Sequence, residues 1–233
     1  MDPDRLSPEH AQAQLQAIRH LMARATHYRA LSAPTALVAG LLSVFAAYLC
    51  WRTAESTLLL PPMMFVWLWL VVLVIVWVLN AYFLWESARQ RREPLFSPSF
   101  RLAMSSFLPP LVTGGVLTWW VLQTPDILAI VLVWNVCYGL ALLGTQAYAP
   151  RSLYVLGWAF LLTGLLLTLP YALVPYYAVW FERIATIAMA VSFGGYHLAY
   201  AVIAWRSTAE LFPRDAARSP KRYHASSVGD DLP

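Results

Sequence analysis

The chain is predicted to be an all-α membrane protein: a six-transmembrane-helix bundle of three antiparallel hairpins, with an amphipathic helix at its N-terminus. Three observations carry this. Of the 233 residues, 60% are hydrophobic and only 12% charged, where a soluble domain carries about a quarter. The apolar residues gather into six long stretches with almost no charge inside them, each long enough to cross a bilayer. The links between stretches are short, so neighbouring spans must run in opposite directions.

Residues 1–33 form a polar segment. Ser7-Pro8-Glu9 is a helix start, with Ser at the N-cap and Pro at the first position. Leu15, Ile18 and Met22 then recur at helical spacing, with Arg19 and Arg24 around them. This basic amphipathic helix suits the membrane surface or a partner. The segment lacks the h-region of a cleavable signal peptide, so the first span is expected to serve as an uncleaved anchor.

The membrane domain covers 34–205, with spans at 34–51, 62–85, 102–122, 127–148, 152–174 and 180–205. Span one carries Ala36 and Gly40 at small-xxx-small spacing. Span two is dense in Trp and β-branched residues. Span three contains Pro109-Pro110, where the helix is expected to kink or break because proline has no N–H to donate. A short pattern recurs in the odd spans: Leu37-Val38-Ala39-Gly40, Leu111-Val112-Thr113-Gly114 and Leu161-Leu162-Thr163-Gly164. Residues 206–233 are polar and expected to be a disordered cytoplasmic tail.

Charge orients this arrangement. Fourteen basic residues fall on the side of the termini and two, Arg52 and Arg183, on the other. By the positive-inside rule both termini are expected in the cytoplasm, and the membrane to be a plasma (bacterial inner) membrane. The formal charge of +4 is thereby accounted for by headgroups and implies no direct contact with nucleic acid. Cys50 and Cys137 lie in different apolar stretches and are expected to be small core residues.

Polar side chains inside spans are where function is sought. Asn80, Ser105, Ser106, Gln146, His197 and Tyr200 share a depth in the cytoplasmic half, and are expected to line an inner polar pocket. Their alternative is plain hydrogen bonding between helices. His197 is the only histidine within a span, so a bis-histidine haem site is closed to a monomer. Glu182 and Arg183, at the outer start of span six, are expected to be solvated. No catalytic, metal or nucleotide motif is present, and no cofactor is expected.

Arg19-His20-Leu21-Met22, Leu108-Pro109-Pro110-Leu111, Tyr138-Gly139 and Phe193-Gly194-Gly195-Tyr196-His197-Leu198 follow one another along residues 15 to 205. In this order they resemble a recurrent group of bacterial six-helix integral membrane proteins of unknown function. Members often appear beside winged-helix regulators, which implies a signalling partner; the resemblance carries over no site residue. The expectation is a non-enzymatic sensor or partner-binding module, its partner a cytoplasmic protein such as a regulator, or a second copy. The alternative is a small transporter or permease subunit with a cytoplasm-facing polar pocket.

Overall fold

The computed structural model describes the backbone of residues 8–57, 61–91, 98–124, 126–146, 151–173 and 178–211, and side chains within these ranges from Ala33 onward, apart from some at helix ends. Before Ala33 only the side chains of Gln12 and Gln14 are described. The elements are α1 (Pro8–Thr57), α2 (Pro62–Arg91), α3 (Pro98–Val121), α4 (Ile127–Gly144), α5 (Arg151–Leu166), α6 (Leu169–Leu173), α7 (Ala178–Met189), a π-helical segment (Ala190–Tyr196) and α8 (His197–Leu211). No strand occurs among the described residues.

Six stretches are long and apolar enough to cross a bilayer: Ala33–Glu55, Pro62–Glu86, Arg101–Val121, Ile127–Gly144, Arg151–Leu173 and Val179–Arg206. They match the sequence boundaries within a few residues and define an all-α, multi-span membrane protein. The exposed surface agrees. Trp67, Val74, Val112, Trp119, Val155 and Ile203 all face outward, an arrangement that only an apolar solvent tolerates on this scale.

Three departures from the sequence reading have physical reasons. First, α1 runs unbroken from Pro8 through Pro34 into span one, where a separate surface helix was expected. The expected stripe of Leu15, Ile18, Arg19 and Met22 lies outside the described side chains, and the tail beyond 211 outside the described residues. Second, of the kink or break expected at Pro109-Pro110, α3 shows no break, running as one helix through both prolines. Third, span five is interrupted. Its helix ends at Leu166, turns at Leu167-Thr168 and resumes at Leu169. Pro170 has no N–H to give the Leu166 carbonyl four residues back, so the helical ladder cannot run through this point. Thr168 caps the end, its backbone N–H and its hydroxyl both donating to the Leu165 carbonyl.

α4 is the central helix. It buries Leu128, Ile130, Val131, Asn135 and Ala141 and packs on α3, α5 and α7. Asp126 starts it, accepting from the Ala129 N–H at 3.1 Å as an N-cap should. Its seam with α5 brings backbone close to backbone. A Cβ placed on Gly139 would lie 2.6 Å from the Leu161 nitrogen and 2.9 Å from the Gly157 carbonyl. In lipid, where apolar burial gives helices little reason to associate, such backbone approach is the main source of packing energy.

α1 is the second hub, against α2, α7, the π segment and α8. Spans five and six meet only sparingly, and span six rests mainly on span one. The glycines of the recurrent tetrapeptide have a common use. Gly40 meets Leu198 and Gly194, Gly114 meets Cys137, and Gly164 meets Val136 and Asn135. Cys50 and Cys137 are buried free thiols.

Buried side chains form two cores. One holds Cys50, Phe65, Trp69, Leu128, Ile130, Phe181 and Met189 at the Trp51 end of the bundle. The other holds Ala33, Ala36, Leu142, Leu156, Phe160, Tyr200 and Ala204 at the Arg151 end. Phe193, in the π segment, packs against both.

Candidate functional site

Span six positions the site. Its helix widens to π geometry over Ala190–Tyr196, a form found mostly as short insertions at functional positions. The local sequence favours it. Ser192 turns its hydroxyl back onto the Ala188 carbonyl at 2.7 Å, loosening the normal ladder. Gly194 lets α1 approach until a Cβ there would meet Val44 at 2.7 Å.

His197 follows this segment directly. Its Nδ1 lies 3.0 Å from the Phe193 carbonyl, and its Nε2 lies 3.1 Å from the Tyr138 hydroxyl. A carbonyl only accepts, so Nδ1 carries the proton. In the neutral ring Nε2 is then the acceptor and Tyr138 the donor. The imidazole is enclosed by rings, with centroids 5.8 Å to Tyr138, 5.6 Å to Phe160 and 6.2 Å to Phe193. Phe160 is the centre of the cage, completely buried and edge-on to Tyr138, Phe193 and Tyr196. Tyr196 continues the polar chain, its hydroxyl 2.8 Å from the Thr163 hydroxyl. The cage thus ties α4, α5 and span six together by two polar links and a set of offset ring contacts.

The residues predicted for an inner pocket separate here. His197 and Tyr200 belong to one packed region, Tyr200 lying in the same core as Phe160. Ser106 is half-buried with its backbone against Gly144, and the next residue, Phe107, meets Tyr138 edge-on at 6.3 Å. Ser105, Asn80 and Gln146 are exposed. Both serine hydroxyls donate to the Leu102 carbonyl, at 2.8 and 3.2 Å. Tyr138, Phe160, Phe193, Tyr196 and Thr163 are the cage members that depth alone did not select. Tyr138 and the Phe193–Leu198 run were visible as motifs, but nothing in the sequence pairs residues 59 positions apart.

A second polar region lies at the Trp51 end. Trp51, Ala54, Glu55, Glu182, Arg183 and Thr186 line a small cleft with about 10 Å³ of free space, room for about one water. Trp51 Nε1 donates to Glu55 at 2.8 Å, and Arg52 pairs with the same carboxylate at 2.9 Å. The Arg183 guanidinium stands 5.5 Å from the Trp51 ring centre, a cation–π contact. Glu182 is not solvated as the sequence suggested. It is 5% exposed, with Thr186 buried one turn away and donating to the Glu182 carbonyl.

Asn135, fully buried in α4, donates to the Val131 carbonyl while its own carbonyl oxygen has no partner among the described residues. Among the described residues no three His, Cys, Asp or Glu side chains gather as a metal site would need. Comparison with protein-family models, curated proteins and solved structures finds no match to the chain.

Proposed function

We propose that this chain is a non-enzymatic, multi-pass plasma-membrane protein that works as a sensor or partner-binding module. Its six spans form three antiparallel hairpins with both termini cytoplasmic, and the basic, amphipathic N-terminal part of α1 meets a cytoplasmic protein partner. The observation that carries the reading is the continuity of α1. One helix runs from Pro8 into the membrane and there packs, through Gly40 and Val44, on the π segment beside His197. Interdigitated packing is bistable where it moves at all, so a displacement of the N-terminal part reaches the cage through one rigid rod. The fourteen-to-two distribution of basic residues supports the orientation.

The test is in two parts. Reporter fusions at both termini should be active only in their cytoplasmic form; a signal from the opposite compartment at either end rejects the topology. Photo-crosslinkers at positions 15, 18 and 22 of the full chain in native membranes should then capture a protein. Crosslinking to lipid alone rejects the partner-binding role.

A second reading, a small transporter or permease subunit, has one observation in its favour: the buried Glu182 beneath the cleft at the Trp51 end. Solute flux across liposomes containing the purified chain, lost in Glu182→Gln, would replace the first reading with this one.

A further inference from the structure

The two halves of α2 have different surroundings. Phe65, Val66 and Trp69 are buried against the bundle. From Leu70 to Glu86 not one residue is buried. Short of Glu86 at its end, this half is aliphatic or aromatic and turned outward, as a lipid-facing helix would be, with one exception. Asn80 is exposed, and among the described residues its amide makes no hydrogen bond.

Its depth makes this costly. The span Pro62–Glu86 has 25 residues, about 37 Å of helix, against a hydrocarbon thickness of about 30 Å. Asn80 lies six residues short of Glu86, about 9 Å along the axis, and so roughly 5 Å inside the hydrocarbon edge. A side chain as short as asparagine does not reach the headgroups from there, and lipid chains offer it neither donor nor acceptor.

We propose that this half of α2 is an interface with a second copy of the chain, in which Asn80 pairs with its own counterpart. Symmetry selects this occupant. Two copies in one membrane share an orientation, so a two-fold axis along the membrane normal brings each α2 residue to its own copy at the same depth. A carboxamide carries both a donor and an acceptor and is complementary to itself. One asparagine therefore satisfies two, whereas a different partner would have to supply a polar group at the matching depth. The flanking residues provide the seam. Leu73, Trp77, Asn80 and Leu84 follow a four-three-four spacing, the repeat of two helices packed at a shallow left-handed angle; the first three are exposed and Leu84 is half-buried. The inference rests on the chain being membrane-embedded, which resistance to alkaline carbonate extraction checks separately.

The experiment uses the full-length chain in phosphatidylcholine–phosphatidylglycerol liposomes. Asn80→Cys should form an oxidant-dependent crosslinked dimer. Val78→Cys, two residues away on the other side of the helix and also exposed, should not, and the parent chain with its buried Cys50 and Cys137 is the blank. Energy transfer between labelled copies, followed over lipid dilution, should give a dissociation constant that rises roughly tenfold in Asn80→Leu and stays near the parent value in Asn80→Gln. Equal crosslinking at 80 and 78, none at either, or undiminished association of Asn80→Leu overturns the proposal.

Discussion

The His197 cage and the Glu182 cleft lie on the same span, fifteen residues or roughly 22 Å apart, and they handle buried polarity in opposite ways. In the cage every polar atom of the histidine ring is spent on a neighbour: one nitrogen on the Phe193 carbonyl, the other on Tyr138. Aromatic rings fill the space around them. In the cleft the buried carboxylate borders free space, and Trp51, Arg52, Glu55 and Arg183 form a polar rim. The first holds three helices in one register; the second leaves space for about one water beside Glu182. Phe193, which touches both cores, is the structural joint between them.

The contrast is broken most severely at the seam beneath the cage. Gly139→Val inserts a branched side chain where backbone atoms of α5 already stand at 2.6 to 3.0 Å from an added Cβ. Backbone on both sides cannot yield as a side chain would, so the loss should be about 3 kcal/mol, with little folded protein recovered in mild detergent. Size-exclusion profiles and thermal melts measure it. Next comes Phe160→Ala, which empties the centre of the cage. Its cost should be about 2 kcal/mol, below the range for water-soluble cores, because in a membrane only the lost contacts count and not the transfer from water. Ala54→Ser at the cleft should cost almost nothing in the same melts.

How much of this was legible in the sequence depends on the coordinate asked about. Helix extent was legible: six helices long and apolar enough to cross a membrane fall within a few residues of the expected spans, because hydropathy and length mark such segments directly. The break in span five was written in Pro170 and passed over in favour of the hydropathy. Rotation about the helix axis was not legible. Asn80, Ser105 and Gln146, expected at the depth of His197, have exposed side chains, while Glu182, expected to be solvated at a span end, is buried. In an all-apolar helix the polar face that would reveal rotation is missing. The π segment adds an extra residue to the turn before His197, so any helical wheel drawn through span six is out of phase beyond it. The link from Tyr138 to His197 is non-local and follows only from the packing of span six beside α4 and α5.

A smaller change sharpens the account of the cage itself. Tyr138→Phe keeps the ring contacts and removes the hydroxyl, leaving His197 Nε2 without its donor. The expected loss is about 1 kcal/mol, the usual range for a polar contact between helices in a membrane. His197→Phe should lose a similar amount, and the double variant no more than either alone, since the two residues share one interaction. Additive losses in a thermal or denaturant double-mutant cycle would show that the 3.1 Å contact carries no coupling.

The smallest effect on stability should accompany the clearest difference in access. Ala54 lines the cleft and is half-exposed, whereas Phe160 is completely buried among the rings of Tyr138, Phe193 and Tyr196. A cysteine at either position changes little volume at the cleft but a full ring in the cage. Thiols react only where they ionise and meet the reagent. A membrane-impermeant maleimide added to sealed vesicles should therefore label Ala54→Cys from one side of the membrane, faster than Phe160→Cys by on the order of tenfold or more. The side from which it labels also reports which compartment the Trp51 end faces. Labelling of both positions at equal rates would mean that water reaches the cage as freely as the cleft, and the division of span six into a closed half and an open half would be lost.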